Sequence, residues 1–472
     1  MYYLWFIISI LLFFITGNAV LKLIDHKYRY HNTIERVVIS YFLGVGIVAL
    51  IQLYAMCCRI PLTKTNILLL LLPFFIVQAY FCVTKKNIVF KSKSISHRIG
   101  QIGLHGKEAV LTVYLVLLCL IMLFACLSFP IYSYDARAVW SFKAKIIFYQ
   151  HSVFNDDFLD QYRFHPNTAY PLLMPLCQSF IYNILGSVDE YLVKILFALF
   201  YISLVLFIYH TQRDFFSLGR LHSLIFTAVS VSVPFLFVIF SGSVPSAYID
   251  FPFACFYTFT VVYLLKYLRE HNLVHIIIAA LSAAFCIFIK NEGGVLFLIS
   301  LAIFIGEKKV AKGFIIYLLL PIALTLPWFW LRAKFPVIYD SNPLHFLTFT
   351  NVMQGFPRFG LVMKLTLREM FLNLRSWGLL WVIIFFSVAL SFKKDCYSHI
   401  NRREYYLCVI PFFYYFIVVT FIYMFFAPLK VPTEIEFSGT SFERLRSHTL
   451  FLLMLFISLQ ISAFFRKKET AD

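Results

Sequence analysis

Charge is scarce in this chain. Asp, Glu, Lys and Arg make up 14% of its 472 residues, where soluble domains carry about 25%. Catalytic signatures are equally thin. There is no P-loop, no HExxH, no GxSxG and no GxGxxG behind a strand, so the common nucleotide-binding and hydrolase motifs are excluded. The ten cysteines lie scattered, mostly inside apolar runs. No CxxC pair occurs and only Cys57 and Cys58 are adjacent, so neither a disulfide framework nor a metal site is indicated. No acid or base sits in the middle of an apolar run, and no internal repeat is visible; both weigh against an ion-coupled transporter. The N-terminal MYYLWFIISILLFFITGNAV has no positive leader, which predicts a retained first span rather than a signal peptide.

What is present is apolar: 61% hydrophobic and 19% aromatic residues, with a mean hydropathy of +0.82. A run of about 20 apolar residues crosses the hydrocarbon core as a helix. Such runs lie near 2–21, 36–57, 66–83, 109–129, 189–209, 221–240, 251–267, 274–290, 294–306, 313–332, 376–392, 405–427 and 447–465. The fold class expected is an all-α polytopic membrane protein of about 13 transmembrane helices, with juxtamembrane helices on its outer face. A β-barrel would show short alternating strands instead.

One run, AYPLLMPLCQSFIYNILG at 169–186, is ambiguous, because Pro171 and Pro175 interrupt helical hydrogen bonding. The charges decide its placement. Lys85, Lys86, Lys91, Lys93, Arg98 and Lys107 put the segment 84–108 in the cytoplasm. If 169–186 does not cross, Arg213, Arg220, Lys266, Arg269, Lys308, Lys309, Lys312, Lys393, Lys394, Arg402 and Arg403 all fall inside as well. The segment is therefore expected to be half-buried or re-entrant on the outer face. The net charge of +18 is then topogenic, and nucleic acid is not an expected partner.

With that parity the sparse acids and the remaining cations share the outer side. Asp135, in SYDARAVWSFKAK, follows directly on a span. Its ordinary role would be to cap a helix running to about residue 149, and its catalytic role that of a general base. Lys143 either snorkels toward headgroups or pairs with a phosphate. Asp250, in YIDFPFACF, again reads as a cap or as a second carboxylate able to share an acceptor or a divalent cation with Asp135. Glu292 and Lys290 stand together in IKNEGG. Arg444 and Arg446, in SFERLRSHTL, and Arg375, in NLRSWG, oppose the charge bias. Arginine forks suit phosphate, and the ordinary alternative is pairing with Glu443 or lipid headgroups. His165, in RFHPNTAYPLL, could support a phosphate or an acceptor.

In this order YDARAVWSFKAK, HPNTAYPLLMP, YIDFPFACF and KNEG resemble bacterial membrane glycosyltransferases of the GT-C superfamily. The nearest look like the polyprenyl-phosphate-sugar-dependent group of protein mannosyltransferase-like, aminoarabinose transferase-like and galacturonosyltransferase-like proteins. The resemblance covers roughly 109–465, a transmembrane catalytic module, leaving 1–108 as an N-terminal three-span segment with a basic loop and 466–472 as a basic tail. It implies an inverting transfer of a sugar from a polyprenyl-phosphate donor to a glycan, lipid or protein acceptor outside a bacterial cytoplasmic membrane. It further implies Asp135 as the base or its neighbour, Asp250 as arranger of acceptor or metal, and Arg444 facing the donor phosphate. A divalent metal is the only cofactor in question. The outer loops are short and no soluble C-terminal domain follows, which argues against a large folded acceptor. Alternative readings are a flippase or transporter for a lipid-linked sugar, a scaffold in envelope assembly, and an O-antigen ligase or polymerase.

Overall fold

The computed structural model describes residues 1–26, 32–84, 106–159, 170–237, 242–304, 311–335, 349–350, 353, 356–391, 402–415, 444–445 and 447–469. Regular structure among these is entirely helical. Helices α1 (Tyr2–Ile24), α2 (Thr33–Cys57), α3 (Lys64–Thr84) and α4 (Gly106–Ser128) are followed by α5 (Phe142–Gln150), α6 (Leu173–Leu185) and α7 (Ile195–His210). Next come α8 (Arg220–Val231), α9 (Asp250–Glu270), α10 (Leu273–Ile289), α11 (Glu292–Leu301) and α12 (Ala311–Arg332). The last are α13 (Phe359–Leu372), α14 (Leu380–Ser391), α15 (Tyr406–Phe412) and α16 (Leu450–Glu469).

Seven described helices are long and apolar enough to span a bilayer. Their sidedness in the bundle follows from which residues they hide. In α9 the whole apolar window is buried, and in α2 78% of it, against 11% in α3, 22% in α4 and 28% in α12. The last three turn Leu69, Ile76, Val113, Leu117, Leu319 and Leu326 outward. Helices apolar on every face belong in lipid. The molecule is an all-α membrane protein with α2 and α9 at its centre.

Two glycines allow α1 and α2 to touch backbone to backbone. A Cβ on Gly17 would lie 1.8 Å from the Ser40 carbonyl oxygen, and one on Gly44 would lie 1.8 Å from that of Phe13. Close approach through small residues is how helices gain dispersion contact where lipid offers no hydrophobic drive.

Ionic contacts mark the two ends of the bundle. At one end Glu35, in the first turn of α2, accepts from Tyr263 at 2.8 Å and from Lys266, both late in α9. At the other end lies Asp250, where α9 begins. The prolyl segment α6 enters and leaves by the Asp250 end. On its leading side Tyr170 borders the pocket that holds Asp250. On its trailing side Ser187 and Asp189 bond the hydroxyl of Tyr2, at the start of α1, at 3.2 and 3.0 Å. Between these flanks Cys177 reaches the carbonyl of Val45, midway along α2. At about 1.5 Å per residue its 13 residues fall well short of a bilayer. Its two flanks lie at the same end of the bundle, and the helix is buried throughout rather than half-buried.

Other boundaries differ from the apolar runs. The run 221–240 is helical only to Val231, because Pro234 cannot continue the ladder. Turns of 3-10 helix at Pro234–Leu236 and Val244–Ser246 carry the chain onward to Tyr248. The run 376–392 is broken at Gly378, whose φ is +55, so α14 starts at Leu380. Most of the basic loop 84–108 and the second half of the run 405–427 lie outside the described residues.

Candidate functional site

A pocket of about 280 Å³ opens at the Asp250 end of the bundle, lined by Asp135, Val139, Trp140, Tyr170, Asp250, Lys290, Glu292, Arg444 and Leu445. Its charged members come from four separate stretches of sequence. Asp135 follows α4, Asp250 opens α9, Lys290 and Glu292 flank the α10–α11 turn, and Arg444 precedes α16.

Neither aspartate caps a helix. Asp135 has helical φ and ψ and no side-chain cap bond, and the π-helical turn Ala136–Ser141 follows it. Wide turns of this kind recur at functional sites. The Asp135 carboxylate instead meets Arg444, with Nη1 at 2.5 Å from Oδ2, while its backbone N–H donates to the Tyr248 hydroxyl at 3.4 Å. Asp250 is 1% exposed. Its Oδ1 accepts from Lys290 Nζ at 2.8 Å and lies 2.9 Å from His448 Nε2. Its Oδ2 lies 3.9 Å from the same Arg444 nitrogen. Both side chains are drawn to tertiary partners that a one-dimensional reading of a cap could not reveal.

The cations are held as firmly. Burial works against the charge of Lys290, but Asp250 and Glu292 beside it outweigh that and raise its pKa above the ordinary lysine value. Burial likewise opposes Arg444, and Asp250 and Asp135 hold it charged. Arg444 also stacks over Tyr248, 4.8 Å from the ring centroid. Removing one partner from such a buried array costs roughly 3–5 kcal/mol, because the other charge stays buried.

The position a shared metal would need between Asp135 and Asp250 is taken by the Arg444 guanidinium. No group of three or more His, Cys, Asp or Glu suited to a metal occurs among the described residues. The donor set among the described residues does not fit a divalent ion.

The other expected site residues fare unevenly. Lys143 is fully buried and does not line the pocket; its Nζ donates to the Tyr170 carbonyl at 3.2 Å, behind Trp140 and Tyr170. Burial lowers its pKa to about 7. Arg375 is exposed on the short helix Leu374–Trp377 and lines neither pocket. His165 and Arg446 lie outside the described residues.

His448 was not singled out by sequence reasoning, although it stands in the quoted SFERLRSHTL, four residues after Arg444. It is 0% exposed. Nδ1 lies 3.0 Å from the Tyr414 hydroxyl and Nε2 faces Asp250. The i, i+4 spacing that brings both side chains to one face of a turn was the available signal. Tyr415, whose ring is 6.0 Å from that of Tyr414, lines a second pocket of about 240 Å³. That one is apolar, walled by Leu367, Met370, Phe371, Trp381, Ile384, Phe385, Phe412 and Leu453.

The ionic pocket can hold a polar headgroup, stabilise a developing anion and accept a proton, and His448, Tyr414 and Tyr415 link it to the apolar pocket. No family model, no curated protein and no solved structure matches the chain.

Proposed function

We propose that this protein is a membrane glycosyltransferase of the GT-C type, which moves a sugar from a polyprenyl-phosphate donor to an acceptor hydroxyl with inversion. The observation that carries the reading is the meeting of Asp135, Asp250 and Arg444, each near a different helix end, in one pocket. The seven long apolar helices suit an integral protein of a bacterial cytoplasmic membrane. The site then faces away from the basic loops.

Arg444 is suited to the donor phosphate, and Lys290 adds to the local positive potential. When the anomeric C–O bond breaks, its electron pair stays on the phosphate oxygen, and a preorganised cation lowers the energy of that charge. The acceptor hydroxyl attacks from the opposite face and gives its proton to a carboxylate, with Asp135 the most accessible of the two aspartates. Asp250, locked by Lys290 and His448, holds the array in register. The apolar pocket lined by Tyr415 is suited to the isoprene units of the donor.

The test uses the purified full chain reconstituted in lipid vesicles with polyprenyl-phosphate hexoses and a hydroxyl acceptor. Release of polyprenyl phosphate by the wild type, lost in Asp135→Asn with normal membrane insertion, supports the reading. Equal release by both contradicts it.

A further inference from the structure

Three features of the ionic pocket remain unused by the chemistry above, and they agree with one another. The first is Glu292. Its Oε1 sits 3.2 Å from Lys290 Nζ, but Oε2 is buried and has no hydrogen-bond partner among the described residues. A buried acceptor left without a donor is costly, and more so when charged. Glu292 itself lines the polar pocket, and a turn of its carboxylate brings this oxygen to a guest that carries its own O–H.

The second is the wall formed by Trp140 and Tyr170. Their rings meet edge to face, with centroids 5.2 Å apart at 76°. Lys143 fixes the strand of backbone behind them by donating to the Tyr170 carbonyl, and its Nζ lies 5.5 Å from the Trp140 ring centroid. Two aromatic side chains lining the same pocket as the charged groups suit a ligand with one apolar side and one hydroxylated side. A pyranose ring has that character.

The third is size. At about 280 Å³ the pocket lies at the lower edge of the roughly 300–1,000 Å³ usual for small-molecule sites. It suits one ring and not a chain of them.

We infer that this pocket is a single-sugar subsite for the donor, in which Trp140 and Tyr170 form the apolar platform and Glu292 accepts a hydrogen bond from one sugar hydroxyl, fixing which sugar is used. The inference rests on the proposed transferase reading and sharpens it. Glu292 touches the sugar and discriminates among sugars, and it does not carry the reaction's proton. A site built to bond a hydroxyl rejects the analogue lacking it far more strongly than an apolar site can, since the protein's own buried group is then left unpaired.

The experiment compares transfer by the reconstituted full chain from polyprenyl-phosphate hexoses and from their 2-, 3-, 4- and 6-deoxy analogues. The wild type is expected to discriminate at least tenfold against one deoxy position. Glu292→Ala and Glu292→Gln are expected to lose most of that discrimination, leaving the other positions ranked as before; Glu292→Asp should keep part of it. Trp140→Leu should raise the donor KM several-fold with all sugars. An unchanged deoxy profile in Glu292→Ala overturns the inference while leaving the transferase reading intact. Absence of transfer from every donor by the wild type overturns the transferase reading first. Normal insertion and thermal unfolding of Glu292→Gln exclude misfolding as the cause of a changed profile.

Discussion

Arg444 and Asp250 approach within 3.9 Å through the same guanidinium nitrogen that bonds Asp135 at 2.5 Å. One side chain just before α16 therefore meets carboxylates from two earlier helix starts. A lysine has the charge but not the planar guanidinium that stacks over Tyr248 while its Nη1 meets both carboxylates. Arg444→Lys should lower transfer at least tenfold while the protein still inserts. Arg444→Met should in addition destabilise by about 3–5 kcal/mol, since Asp135 loses its partner and Asp250 keeps only Lys290 and His448. Thermal unfolding in detergent alongside the vesicle assay separates the two effects.

Gly242 supports that arginine from behind. Its φ is +86, and a Cβ there would lie 2.6 Å from Arg444 Cγ. Alanine at this position both strains the backbone and pushes the guanidinium. Gly242→Ala is expected to reduce transfer several-fold with little change in membrane level. Activity equal to wild type would show that Arg444 has room to move.

His448 should reveal itself in stability as well as in activity. His448→Ala leaves the Tyr414 hydroxyl without that partner and removes one of the groups on Asp250. A loss of about 2–3 kcal/mol is expected from unmaking buried hydrogen bonds, with transfer reduced. His448→Gln, which can still reach one of them, should recover part of both. Tyr414→Phe should cost about 1 kcal/mol and leave the deoxy-sugar profile unchanged.

Lys143 gives the protein a pH-dependent stability of definite sign. Burial holds its pKa at about 7, against about 10.4 when unfolded. Between these values the unfolded chain binds more protons than the folded one, so stability rises from pH 7 toward pH 10. Below pH 7 this contribution is flat. Lys143→Met should flatten the rise and be the more stable protein near neutrality. Melting temperatures of the two proteins across pH 6–10, compared at each pH, measure it.

The helical and membrane-spanning character was legible from composition and run length alone, because twenty apolar residues admit few alternatives. The marginal length of α6 was legible too, from Pro171 and Pro175. Within the site, Asp135, Asp250, Lys290, Glu292 and Arg444 could be named because charge is rare in this chain and each sits near a helix end. What each one bonds could not be read, since the Arg444 bridge and the His448 contact join segments about two to three hundred residues apart. The same limit made Lys143 look like a phosphate ligand. Its spacing from Asp135 gives no hint that Trp140 and Tyr170 stand between it and the pocket. The interruption after Val231 also followed from Pro234, a signal overridden by the apolar run around it.

The most direct measurement is a mass-spectrometric profile of lipid-linked sugars and envelope glycans in cells carrying the wild-type chain, Asp135→Asn, or neither. If headgroup transfer occurs where these acids and arginines meet, the Asp135→Asn cells will match cells without the protein, with donor accumulated and the modified acceptor missing. A profile in Asp135→Asn cells indistinguishable from wild type would contradict it.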